Sequence, residues 1–291
     1  MPPEVALPPE PAAIDYVARW RQLVERRRVQ MEAANRKAAL DGGDYWGRRA
    51  KTYREALHAR MQEDALFLRL KATVTAEDTV LDVGAGTGRH TLALAPLVRR
   101  VTAVDPSEAM LGLLRADAEA QGLRNIETVL SGWMEADVAP ADYVICSHVV
   151  YPIADIVPFV RKLEAAATRR VFVYLRVDPL PTDLGLWAHF HDVSLTRQPT
   201  HQDLFGVLCQ EGIFCDVEVI DQRFAMAYAS LDVAVQQIRN AVSIREGDTV
   251  AEGKLREFIA ERLRRREDGQ YVADYPATRS AILSWAPSGG G

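Results

Sequence analysis

The chain has 291 residues, 48% of them hydrophobic, and a formal net charge of −5 at pH 7. This hydrophobic content predicts a folded core and excludes a disordered chain, and the negative charge argues against a protein that binds nucleic acid through backbone phosphates. The three cysteines, Cys146, Cys209 and Cys215, form no Cys-x-x-Cys pair, so neither a disulfide framework nor a metal site is predicted. We therefore expect a reducing compartment, the cytoplasm.

Residues 1–13 are rich in proline and are expected to form a disordered tail. They lack the basic start and apolar run of a signal peptide, and no later run is long enough to cross a bilayer, so no membrane partner is expected. Residues 14–71 are predicted to form an N-terminal helical cap. It consists of a long helix over residues 14–40 and a second helical region over residues 45–71.

From residue 72 onwards, short apolar segments alternate with helical ones. The strand candidates are TVLDV, RVTAVD, NIETVL, ADYVICSHV and RVFVYLRV. The helix between the second and third of them has Ser107 as its N-cap and Gly122 just beyond its end. Such alternation is typical of βαβ units. Residues 72–230 are therefore predicted to form a Rossmann-like, doubly wound α/β core with a mostly parallel seven-stranded sheet.

The C-terminal part departs from this alternation. Residues 231–266 contain two amphipathic helical segments and are interpreted as a helical insert that acts as a substrate lid. Residues 267–291 are predicted to hold the last strand of the core, RSAILSW, and a flexible tail. Apolar walls of a substrate pocket are expected from aromatic residues that precede the insert: Trp187, Phe190, Phe224 and Tyr228.

A glycine-rich stretch, VLDVGAGTGRH, joins the first strand to the following helix. Its glycines permit a tight turn and the close approach of a ligand, and the helix N-terminus offers unpaired N–H groups. The spacing is G-x-G-x-G rather than the G-x-G-x-x-G of dinucleotide-binding turns, and Asp82 would repel a pyrophosphate. Asp105, at the end of the second strand, suits ribose hydroxyls. The ligand is therefore expected to have a ribose and a cationic part.

Together with VTAVDPSEAM, this stretch resembles motifs I and II of the class I S-adenosylmethionine-dependent methyltransferases, and the resemblance extends from Thr79 to Arg176. It implies S-adenosylmethionine as the methyl donor and S-adenosylhomocysteine as the product. The methionine part would be lined by the residues of the turn, Gly84, Ala85, Gly86, Thr87 and Gly88. Other parts of the cofactor would each meet one further residue: the amino group Asp82, the ribose hydroxyls Asp105, the adenine Pro106 and the sulfonium Ser147.

The sequence departs from the family pattern after the third strand, where an acidic residue often contacts the adenine amino group. Here the stretch is LSGWMEAD, so Trp133 stands in that position between Gly132 and Met134. Trp133 is expected either to stack on the adenine or wall its pocket, or to pack under the edge of the sheet. Met134 is expected to supply a backbone N–H.

Methyl transfer from a sulfonium is an in-line displacement, in which the protein mainly positions the nucleophile and excludes water. The fourth strand ends in CSHVVYPI, which puts His148 and Tyr151 where a methyl acceptor would lie. His148 is the candidate general base or orienting residue, with helix capping or packing as the alternative. The N/D-P-P-Y motif for exocyclic amines of nucleobases does not occur in the sequence.

The resemblance favours a methyltransferase that acts on an oxygen, nitrogen or carbon nucleophile of a small molecule. The alternatives are an RNA or protein methyltransferase, a non-catalytic S-adenosylmethionine-binding scaffold and a nicotinamide-dependent oxidoreductase. The net charge disfavours a nucleic-acid substrate, and the glycine spacing with Asp82 disfavours a nicotinamide cofactor. The sequence is compatible with a homodimer as well as with a monomer.

Overall fold

The computed structural model describes residues 13–38, 64–177, 185–191, 193–222, 227–273 and 278–288. Its helices are α1 (Tyr16–Lys37), α2 (Ala65–Lys71), α3 (Arg89–Leu94), α4 (Glu108–Ala120), α5 (Ile156–Ala165), α6 (Leu186–His191), α7 (His201–Gln210), α8 (Leu231–Arg239) and α9 (Thr249–Ala260). Its strands are β1 (Thr79–Val83), β2 (Arg100–Asp105), β3 (Ile126–Leu130), β4 (Ala141–Ser147), β5 (Ala167–Arg176), β6 (Asp216–Gln222), β7 (Ala227–Tyr228), β8 (Leu263–Arg265), β9 (Tyr271–Ala273) and β10 (Thr278–Trp285). Within these ranges no helix has the length and apolar character needed to span a membrane.

Seven of the strands form one sheet in the order β3-β2-β1-β4-β5-β10-β6. Strands β1 to β5 are parallel, while β10 is antiparallel to both β5 and β6. Because the strand order reverses between β1 and β4, a crevice forms at their carboxyl ends, where ligands bind in open α/β sheets. The predicted Rossmann-like fold with a mostly parallel seven-stranded sheet is confirmed.

Helices cover both faces of this sheet. On one face α2 and α3 pack through apolar residues such as Leu66 and Leu94, beside α4. On the other face α1, α5 and α7 pack around Trp20, Phe159 and Leu204. Strand β1 is consequently buried along its whole length, as a strand covered on both faces should be. The residues that follow β1 and β4 are thereby held on a rigid support.

Helix α1 is part of this core. Trp20 is fully buried, and its Nε1–H donates to the carbonyl of Ile153 at 2.6 Å. The ring of Tyr16 lies so close to Gly206 of α7 that a Cβ there would clash with it. The second expected helical region ends in α2, and its earlier part, residues 45–63, lies outside the described residues.

Between β6 and β10, residues 227–273 hold the two expected helices, α8 and α9, and a three-stranded antiparallel sheet in the order β7-β9-β8. The sequence pattern did not predict these strands, because each is only two or three residues long. The helices pack with α6 around an apolar cluster of their own, which includes Ala234 and Leu255. The segment is therefore a mixed α/β unit rather than a purely helical insert.

The aromatic residues that were expected to form the walls of a substrate pocket do not line one common surface in the described structure. Trp187 and Tyr228 are 2% and 1% exposed, so they fill the protein interior instead of lining an open wall. Phe190 is half-buried and packs against the cluster of α8 and α9. Phe224 lies outside the described residues.

Candidate functional site

The glycine turn follows β1 directly and ends at the N-terminus of α3. Gly84, Gly86 and Gly88 have φ angles of +73°, +57° and +81°, a region that favours glycine. A Cβ on Gly84 would clash with Val149, and one on Gly88 would lie 2.6 Å from Leu114 Cγ. At Gly86 nothing lies within 4 Å of the position of a Cβ. Two glycines are therefore required by packing, while Gly86 leaves a space that a ligand can occupy.

The carboxylate of Asp105, at the end of β2, stands beside this open position. Its Oδ2 accepts from the N–H of Gly86 and its Oδ1 from the N–H of Ser107, both at 2.9 Å. These bonds fix the orientation of the carboxylate relative to the turn. Because a carboxylate has about four acceptor positions, an anchored Asp105 can also accept hydroxyl groups from a ligand.

Asp82 lies deeper, within β1, and is 2% exposed. Its Oδ2 accepts from the hydroxyl of Thr91 in α3 at 2.7 Å. Burial raises the pKa of Asp82 against the opposing effects of His90 and Thr91, and the charge of Asp105 raises it further. A carboxylate in such surroundings is stabilised by a nearby cation. The turn therefore has a second, buried carboxylate that favours a positively charged ligand group.

A buried charge cluster behind the turn was missed by sequence reasoning. Asp64 is the N-cap of α2 and accepts from the N–H of Phe67 at 2.9 Å. Its carboxylate also lies 2.5 Å from Arg89 Nη2 and 3.0 Å from His90 Nε2. The cluster ties α2 to the first turn of α3. The only signals in the sequence are a capping residue before ALFLRLK and a basic pair after the turn, and neither indicates that they meet.

His148 and Tyr151 follow β4 and are brought together. His148 has a φ of +59°, uncommon for a residue other than glycine, and its N–H donates to the carbonyl of Tyr174 at 2.8 Å. Its Nδ1 lies 2.9 Å from the hydroxyl of Tyr151, which accepts from the N–H of Arg176 at 2.8 Å. Burial and the charges of Arg176 and Arg89 hold the pKa of His148 well below its usual range. The imidazole is therefore neutral at pH 7.

Trp133 packs against α5. Its Nε1–H donates to the carbonyl of Phe159 at 3.4 Å, and Lys162 Nζ lies 4.8 Å from the ring centre. The side chain is 6% exposed. This arrangement corresponds to packing under the edge of the sheet, and stacking on an adenine would require the indole to leave these contacts.

Two other side chains near the end of β3 offer an apolar surface. Leu130 and Met134 are 54% and 45% exposed. Leu130 is the register partner of Asp105, so the two side chains lie on the same face of the sheet. Leu130 was not among the residues singled out in the sequence, because an apolar residue that ends a strand is usually assigned to the core.

The remaining predicted contacts lie along the same edge of the sheet. Ser147 ends β4 and is half-buried, Pro106 after β2 is exposed, and Gly132 after β3 is half-buried. Ala85 and Thr87 are 8% and 1% exposed. Their side chains consequently offer little surface, and a ligand in the crevice would meet their backbone.

Residues 80–168 match the family model of the methyltransferase domain. This segment contains the glycine turn, Asp105 and His148, so the methyltransferase-domain match covers the predicted site. The family resemblance recognised in the sequence motifs is confirmed.

The chain is also similar to two curated proteins and to one solved structure. An uncharacterized protein of Haemophilus influenzae is 28% identical over 180 residues, which are 60% of this chain and 66% of that protein. The uncharacterized methyltransferase YcgJ of Bacillus subtilis is 27% identical over 160 residues, 54% of this chain and 62% of that protein. The matches thus span slightly less than two thirds of these curated relatives. The crystal structure of YcgJ superposes with a TM-score of 0.52 at 16% identity, over 81% of this chain and 100% of that chain, which shows a shared fold.

Proposed function

We propose that this chain transfers a methyl group from S-adenosylmethionine to an oxygen, nitrogen or carbon nucleophile of a small molecule and releases S-adenosylhomocysteine. The observation that carries the proposal is the open position at Gly86, whose N–H donates to Asp105 Oδ2 at 2.9 Å. The space beside it has the backbone of the turn on one side and a carboxylate on the other. Such surroundings suit a ribose joined to an amino-acid chain.

The chemistry of the residues around this space fits the cofactor. The carboxylate of Asp105 is an acceptor only, so it pairs with the two ribose hydroxyls as donors. The buried carboxylate of Asp82 complements the ammonium group, because a nearby cation favours its ionised form. The exposed surfaces of Leu130 and Met134 would cover one face of the adenine. When bound, the cofactor supplies a methyl group already activated by its sulfonium charge.

His148 and Tyr151 would act on the acceptor. A neutral imidazole donates through one nitrogen and accepts through the other. When Nδ1–H of His148 donates to the Tyr151 hydroxyl, Nε2 has the lone pair that removes a proton from the acceptor. The lowered pKa of His148 keeps this nitrogen unprotonated near neutral pH. For an acceptor that arrives deprotonated, the same pair orients it and excludes water.

The surroundings of the site support a small acceptor. A nucleic-acid substrate is disfavoured by the net charge of −5. Residues 231–266 would form the lid of the acceptor pocket. The three cysteines are unpaired, which supports a reducing, cytoplasmic location. A homodimer is part of the proposal, and light scattering of the purified chain tests it.

Calorimetric titration with S-adenosylmethionine, S-adenosylhomocysteine and NAD tests the proposal. We expect the first two to bind and NAD to be ignored. Asp105→Ala should weaken S-adenosylhomocysteine binding by roughly 100-fold, since it removes the acceptor of two hydroxyls and frees the N–H of Gly86. Asp221→Ala, on the exposed edge strand β6, is the matched control and should leave the affinity unchanged.

The opposite outcomes identify the alternatives. Binding of NAD without S-adenosylmethionine would show an oxidoreductase. Tight cofactor binding without transfer of a radioactive methyl group into a metabolite extract would show a scaffold. Labelling of added RNA or protein in place of small metabolites would show that the methyl acceptor is a macromolecule and not a small molecule.

A further inference from the structure

Arg176 is the last residue of β5, at the carboxyl edge that also holds the glycine turn. Its backbone N–H donates to the hydroxyl of Tyr151 at 2.8 Å, and that hydroxyl lies 2.9 Å from His148 Nδ1. The Arg176 side chain is half-buried. The backbone of Arg176 therefore lies directly beside the pair assigned to the methyl acceptor, and the charge of its side chain acts on His148.

The ion pairing of Arg176 differs from that of the other arginines of β5, Arg169 and Arg170. Arg169 Nη1 lies 2.8 Å from Asp78, and Arg170 forms an ion pair with Asp216. For Arg176, no carboxylate in the described ranges lies within ion-pairing distance of the guanidinium. A guanidinium without a counter-charge at this edge of the sheet would be stabilised by an anion bound from outside.

A second arginine adds to the positive potential around His148. Arg89 pairs with Asp64 through Nη2, while its buried Nε has no hydrogen-bond partner in the described structure. The charges of Arg176 and Arg89 both lower the pKa of His148, and the single carboxylate of Asp64 opposes them only in part. The part of the crevice near His148, where the methyl acceptor would bind, is therefore positive. The part where the methyl donor would bind contains instead the two carboxylates of Asp82 and Asp105.

We propose that the methyl acceptor carries an anionic group, a carboxylate or a phosphate, which Arg176 binds while the nucleophilic atom lies next to His148. This inference rests on the proposed function, because it assigns the acceptor of the same site. A guanidinium binds either anion through two parallel N–H···O bonds, which fixes orientation as well as position. Arg176 thus acts as a specificity-determining residue.

The test uses the full chain saturated with S-adenosylhomocysteine and three probes: benzoate, benzamide and inorganic phosphate. Binding is measured by calorimetry for the wild type, Arg176→Gln and Arg124→Gln. Arg124 is an exposed arginine before β3, at the opposite edge of the sheet, so its variant makes the same change in net charge. Benzoate and benzamide have nearly the same shape and differ in charge.

We expect the wild type to bind benzoate or phosphate at least tenfold more tightly than benzamide. Arg176→Gln should lose this preference and Arg124→Gln should keep it. Preference for benzoate would identify a carboxylate and preference for phosphate a phosphate ester. Equal binding of all three probes, or an unchanged preference in Arg176→Gln, overturns the inference. The proposed function fails separately, if S-adenosylhomocysteine itself does not bind to the wild type.

Discussion

Asp64→Asn tests the buried cluster that supports the glycine turn. Burial alone would raise the pKa of Asp64, but His90, Arg89 and the N–H of Phe67 more than offset it, so the pKa falls from 3.8 to about 2. A fall of this size corresponds to about 2 kcal/mol of folding free energy at neutral pH. Asparagine keeps the capping oxygen, so Asp64→Asn removes mainly the charge.

The pH dependence has a defined sign. Because the folded-state pKa of Asp64 is depressed, its contribution to stability is complete well above pH 4 and is lost as the pH falls towards about 2. About half of it should be gone by pH 3. Urea unfolding of the wild type and Asp64→Asn between pH 7 and pH 3 measures the difference directly, and the two free energies of unfolding should converge as the pH falls.

Asp248→Asn is the matched control for this series. Asp248 caps α9 by accepting from the N–H of Ala251 at 3.0 Å, in an exposed position. Its replacement should change the free energy of unfolding by less than about 0.5 kcal/mol at every pH. The reasoning is refuted if Asp64→Asn is as stable as the wild type at pH 7, or if its deficit is the same at pH 3.

Three further predictions concern the crevice itself. Gly86→Ala meets no neighbour but places alanine at a φ of +57°, so it should cost about 1–2 kcal/mol of stability and weaken S-adenosylhomocysteine binding, measured by calorimetry. Gly84→Ala should instead prevent folding, judged by circular dichroism, because its Cβ would overlap Val149; a well-folded variant would contradict the packing described. Tyr151→Phe removes the hydroxyl that bonds His148 and the N–H at the end of β5, and should cost about 1–3 kcal/mol in urea unfolding. The affinity of Tyr151→Phe for S-adenosylhomocysteine should change less than twofold. A larger loss would show that Tyr151 contacts the methyl donor rather than the methyl acceptor.

The fold could be predicted because β1 to β5 are apolar, regularly spaced and separated by helices. Strands β7 to β9 could not, because segments of two or three residues with charged members such as Arg264 and Arg265 have no usable pattern. Their pairing depends on contacts that only the folded insert provides. The prediction of a helical segment was correct for α8 and α9 and incomplete for the segment as a whole.

The candidate site likewise contains residues that the sequence could predict and contacts that it could not. Asp82 and Asp105 could be singled out because each has a fixed distance from the glycine turn or the end of a strand. The pairing of Asp64 with Arg89 joins segments whose contact depends on how α2 packs against α3, and no local spacing encodes it. The orientation of Trp133 was left open for a similar reason, since its position after β3 is compatible with either face. Its contact with α5 decides the orientation.

Strand β10 gives the sheet an order of assembly during synthesis. Strand β6 pairs with β10 and with no other strand of the seven-stranded sheet, and β10 in turn joins it to β5. During synthesis, β6 therefore leaves the ribosome before its pairing strand exists. It can pair only after the whole insert and then β10 have been made. Val217 and Val219 of β6 are 40% and 48% exposed even in the completed sheet, and they are more accessible in the nascent chain. Until β10 has been made, the unpaired edge of β6 is therefore open to pairing with other chains.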